Sequence, residues 1–102
     1  MKHAMIVMTA LAVLAGTAQL AAAADGKAVY DKSCASCHNK GLMAAPKLGD
    51  KAKWEPLIKT GQPALEESVL KGKGKLKPKA GNDALSADDI KASVEYMIKQ
   101  SQ

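Results

Sequence analysis

Cys34-Ala35-Ser36-Cys37-His38 contains both cysteines and one of the two histidines of a 102-residue chain. The thiols stand close to one helical turn apart, and an imidazole follows the second directly. This is the CxxCH spacing of covalent haem attachment. Each thiol adds to one haem vinyl group, and the two-residue spacer sets the sulfurs apart to match the two vinyls. The imidazole then lies beneath the iron as its proximal ligand. Cys34 and Cys37 are thus the expected covalent haem positions, His38 is the expected axial ligand, and the expected cofactor is haem c.

Three other uses of these residues compete. Two exported cysteines can close a disulfide. They can also form a thioredoxin-like redox pair, which expects a βαβ pattern. A zinc site would use the same sulfurs and imidazole, yet no third Cys is present and the fourth ligand would have to be a carboxylate.

Outward from the motif, the N-terminal side reads as a leader. Lys2 and His3 form a basic head, Ala4 to Leu14 is apolar except for Thr9, and Ala22-Ala23-Ala24 has the small-residue pattern of a cleavage site. A retained anchor is the competing reading, but Gly16, Thr17, Gln19 and the alanine-rich tail make the stretch weakly hydrophobic. Residues 1–24 are expected to be a cleaved secretory signal peptide and residues 25–102 the mature domain, located in the periplasm with no membrane span. Removing the first 24 of 102 residues leaves 78, carrying fourteen Lys against ten acidic residues and a net charge of +4.

A domain of that size has a marginal core and normally needs a disulfide, metal or cofactor as a staple. Tyr30, Trp54 and Tyr96 are the only aromatic residues, and Phe is absent. A large apolar cofactor would give Leu65, Val69, Ile90, Val94 and Met97 a surface to cover. All fifteen Lys+Arg residues are Lys, so the chain lacks the planar guanidinium forks that dominate phosphate and base-edge recognition. Nucleic acid is not an expected partner.

The periodicity predicts an all-α fold of about four short helices. The first runs from about Lys27 to Cys34. The second carries Trp54, Leu57 and Ile58 on one face, stops at Gly61 and begins no earlier than Lys53, because Pro56 is harmless only in a first turn. The third opens with Pro63 and closes at Lys71 before Gly72. The fourth has Ser86 as N-cap with Asp89 three residues on, Leu85 stapled against Ile90, and an apolar face of Ile90, Val94, Met97 and Ile98. Gly72 to Ala84 is a loop.

From Gly26 to Met97 the sequence resembles the cytochrome c5 group of class I c-type cytochromes. The matching segments are GKAVYDKSCASCH, APKLGDKAKW, KGKGKLKPKAGNDALS and VEYM. The resemblance implies a class I cytochrome c fold around one covalent haem, with the first and last helices packed together. It also implies that the Pro46 carbonyl accepts a hydrogen bond from the His38 imidazole and so fixes its tautomer.

The chain departs from that group at one position. Where the family carries an axial Met before its Pro-Lys, this sequence has Leu76, whose side chain offers no lone pair. An open or water-filled sixth site on the Leu76 face is the first expectation. A lysine amine from Lys75, Lys77 or Lys79 is the second, although coordination must first remove a proton from a group whose reference pKa is about 10.4. Methionine is the third: Met43 sits on the proximal loop, and Met97 fits the core face of the last helix. Without the thioether the reduction potential should be lower than in ordinary relatives.

The expected function is single-electron transfer between protein partners, without catalysis of a substrate reaction. A supply of electrons to a partner dehydrogenase or oxidase shares that mechanism. The alternative is a haem-based gas-binding or sensor protein using the open face. The lysines read as a positive collar for acidic redox partners, or as an ordinary solvated surface.

Overall fold

The computed structural model describes residues 24–102, so the expected leader lies outside the described residues except for Ala24. Asp25 opens the first helical run: its carboxylate accepts from the backbone N–H groups of Lys27 and Ala28 at 3.0 and 3.2 Å. The run comprises α1 (Gly26–Val29), a π-helical turn (Tyr30–Cys34) and α2 (Ala35–His38). In the π turn the Ala35 N–H reaches back five residues to the Tyr30 carbonyl, and Cys34 opens to φ −117°. Such an inserted residue widens the helix, often at functional sites. The first helix therefore begins at Gly26 and continues past Cys34 to His38, so both cysteines and the imidazole ride on one continuous element.

The next helix, α3 (Lys51–Lys59), starts two residues earlier than the expected Lys53 and holds Pro56 in its interior. Asp50 explains the early start. Its side chain accepts from the Lys53 N–H at 3.3 Å and its carbonyl from the Trp54 N–H at 3.0 Å. Ala52 and Pro56 are both exposed, so water can serve the carbonyl that Pro56 cannot bond.

Helix α4 (Gln62–Lys71) has the expected Pro63 near its start and Gly72 at its end. Gly72 has φ +88°, and a Cβ there would lie 2.9 Å from the Leu76 carbonyl oxygen, so glycine is required on both counts. The following loop is pinned by Lys73 and Leu76, which exchange N–H···O bonds of 2.9 Å in both directions. It then forms a short 3-10 turn (Pro78–Gly81) in which Lys79 and Ala80 adopt positive φ.

The last helix, α5 (Ala87–Gln100), opens on the expected capping box, with the Asp89 N–H donating to Ser86 Oγ and the Ser86 N–H to Asp89 Oδ2, both at 3.0 Å. Replacing Ser86 with Ala should cost about 1 kcal/mol. In a domain of this size that lowers Tm by about 4–8 °C. An unchanged thermal melt would show that the cap does not hold the helix.

The first and last helices cross at backbone contact. A Cβ on Gly26 would sit 2.2 Å from the Ala92 carbonyl oxygen, and the Tyr30 and Tyr96 rings meet at 5.3 Å between centroids. Tyr30 is buried, donates its hydroxyl to Asn39, and is pushed by burial above the ordinary phenol pKa. Ile90, Val94, Met97 and Ile98 of α5 join Tyr30, Cys34, Trp54, Val69 and Leu85 in one apolar cluster. The arrangement is all-α, with the first and last helices crossed as the resemblance implies, and with the cluster on one side of Cys34 and a cavity on the other. Among the described residues no helix is long and apolar enough to cross a membrane.

Candidate functional site

Both thiols and the imidazole of the pentapeptide line one cavity of about 760 Å³. Its size falls within the range typical of small-molecule and cofactor sites. Cys34 is buried and Cys37 half-buried, and no disulfide joins them. Burial pushes the Cys34 thiol above its ordinary pKa, while the neighbouring Ser93 hydroxyl of α5 pulls the other way. Cys34 is therefore seated against α5, and Cys37 lies nearer the solvent.

His38 is held by a strap, residues 45–48. Its Nδ1 lies 2.8 Å from the Pro46 carbonyl oxygen, an acceptor only, so Nδ1 carries the proton and Nε2 keeps its lone pair. The strap is tied back twice more: the Leu48 N–H donates to the His38 carbonyl at 2.8 Å, and the Trp54 Nε1–H donates to the Lys47 carbonyl at 2.9 Å. The imidazole and indole rings are 5.9 Å apart between centroids. The strap's far end is anchored where the Gly49 N–H donates to Ser101 Oγ at 2.9 Å. Sequence reasoning misses the Ser101 and Leu48 ties; only the buried indole N–H, which needs some acceptor, signals the third.

Leu57, Leu65, Val69, Val94 and Met97 supply the apolar wall. Two thiols, an imidazole with a free Nε2 and this wall form a donor set and surface that fit a flat apolar macrocycle bearing a metal. The cavity also separates the candidates for a sixth ligand. Leu76 is half-buried on its lining, Lys73 and Lys75 line it but are exposed, and Lys77 and Lys79 do not line it. Met43 lines it but is 59% exposed, and Met97 lines it from the core at 3% exposure. Four lysines, Lys47, Lys53, Lys73 and Lys75, and one acid, Asp50, face the cavity, beside the exposed side chains of Leu42 and Met43.

The chain is similar to known c-type cytochromes. The family model described as cytochrome c oxidase, cbb3-type, subunit III matches residues 21–97. The chain is 45% identical to cytochrome c-555 of Chlorobaculum tepidum over 94 residues, covering 88% of this chain and 87% of the relative. It is 36% identical to cytochrome c5 of Azotobacter vinelandii over 77 residues, 74% of this chain and 93% of that one. Among solved structures, an electron transfer complex of nitrite reductase with cytochrome c contains a chain matched at a TM-score of 0.73 and 40% identity, covering 76% of this chain and 94% of that one. The mono-haem ferrocytochrome c of Shewanella putrefaciens matches at a TM-score of 0.67 and 33% identity, covering 76% and 95%.

Proposed function

This chain belongs to the cytochrome c5-like group of class I monohaem c-type cytochromes, and on that premise we propose that it carries single electrons between periplasmic protein partners through haem held at Cys34, Cys37 and His38. Its cofactor is haem c, and its relatives are small haem-based electron carriers. The observation that carries the site assignment is that two cysteines with no disulfide between them and an imidazole whose Nδ1 is tied to Pro46 share the wall of one cavity.

When bound, the haem supplies a one-electron change at iron. The protein's own groups prepare for that change. Pro46 holds the imidazole in one tautomer and orientation, so little reorganisation accompanies a change of charge. The apolar wall excludes water, and the π turn and α2 present both thiols on the same run as His38.

The cavity mouth supports a docking role. Four lysines against one aspartate give it positive potential, and Leu42 and Met43 add apolar contact area beside it. An acidic redox protein is the complementary partner. The cytochrome c matched by structure was solved with nitrite reductase, which supports a protein redox partner here. Electron exchange with an acidic redox protein should slow steeply as ionic strength rises past the Debye regime. Rates measured by stopped flow that stay flat with salt would remove the lysine collar from the account.

A further inference from the structure

Leu76 is placed with more care than a surface loop residue requires. Its backbone and that of Lys73 close a turn by two hydrogen bonds of 2.9 Å, with Gly74 at φ +60° at the tip. Pro78 follows against Gly72. The turn leaves the Leu76 side chain half-buried, packed against the core cluster and on the cavity wall. We infer that this side chain covers the sixth coordination position of the haem iron without filling it, so that the ferrous protein binds a small neutral ligand of the carbon monoxide class there. The inference rests on the haem-carrier reading.

The cavity wall offers few competing donors. Met97 is 3% exposed and packs with Ile90, Val94 and Ile98 along α5, where its thioether is part of the core. Met43 is 59% exposed and lies between His38 and Pro46, on the segment that holds the proximal imidazole. Ser68 Oγ already donates to the Ala64 carbonyl at 3.1 Å. Lys73 and Lys75 line the cavity but are themselves exposed to solvent.

The chemistry of the wall selects the ligand class. Leu57, Leu65, Val69 and Leu76 present carbon and no hydrogen-bond donor, a surface that suits a neutral diatomic even though lysines stand at the cavity mouth. Uptake of carbon monoxide forms one iron–carbon bond from the ligand's own lone pair. No electron is gained or lost, and any water present simply leaves.

The test uses the haem-loaded protein, reduced under inert gas and titrated with carbon monoxide, with the Soret band as readout. A saturable shift is expected. Leu76→Met, a near volume-conserving swap that the fold should tolerate, is expected to weaken uptake by roughly tenfold or more, about 1.4 kcal/mol. It should also give the ferric protein a near-infrared thioether-to-iron band that the parent lacks. Lys73→Ala and Lys75→Ala should bind carbon monoxide as the parent does. A parent whose haem survives acidified organic solvent but shows no shift overturns the inference and leaves the carrier reading standing, as does a shift that appears only after one lysine is removed. Haem lost to the solvent overturns the reading beneath it.

Discussion

Replacing both Cys34 and Cys37 with Ala is expected to yield a protein that gives up all of its haem to acidified organic solvent and loses most of its helical circular dichroism. The cost follows from where the cavity sits. At about 24 cal/mol per Å³, a dry empty space of 760 Å³ would cost about 18 kcal/mol. That exceeds the roughly 5–15 kcal/mol by which whole domains are stable. Water would enter instead, and the apolar wall that includes Val69, Val94 and Met97 would then face solvent. Cys34, Val69, Val94 and Met97 are four of the nine buried apolar residues of the cluster, and the five that remain are too few to hold five short helices together. A double variant that melts cooperatively at the parent temperature without pigment would show that the cofactor is not part of the core.

The second large effect lies far from the cavity mouth. Gly26→Ala should lower stability by about 2–3 kcal/mol or more, because the new Cβ would stand 2.2 Å from the Ala92 carbonyl oxygen and 3.1 Å from Tyr96 Cβ. The better helix propensity of Ala returns only about 1 kcal/mol. The clash is with backbone, so no rotamer change relieves it, and α1 must slide on α5. Tm of the haem-loaded protein should fall by about 10 °C or more. Gly74→Ala is the informative contrast. Nothing lies within 4 Å of its Cβ position, so only the strain of φ +60° acts, costing about 1 kcal/mol. A Gly26→Ala melt within about 2 °C of the parent would contradict the close crossing.

These contrasts show which parts of the molecule could be read from the residues. Ser86 with Asp89, and Pro63 with Gly72, are local signals, and the helices they delimit stand where those signals put them. The five-residue motif carries its own chemistry, so the cofactor was legible before any fold. Pro56 misled the start of α3, because a proline tolerated on an exposed face looks the same in sequence as one that ends a helix. The π turn leaves no local mark in the residues Tyr30 to Cys34, whose two buried side chains, Tyr30 and Cys34, belong to the same cluster as the apolar face of α5. The strap around His38 depends on contacts between residues as distant as Gly49 and Ser101, which no window of sequence brings together. Positive φ at Lys79 and Ala80 was equally invisible, because neither residue type announces it.

The central claim is that Cys34 and Cys37 are bonded to the haem. The most direct measurement is the intact mass of the protein exported by a host that matures c-type haem, taken after extraction with acidified organic solvent. The account predicts the mass of the polypeptide plus one haem, with the colour remaining in the protein. The mass of the bare polypeptide, with the pigment in the solvent, would contradict it.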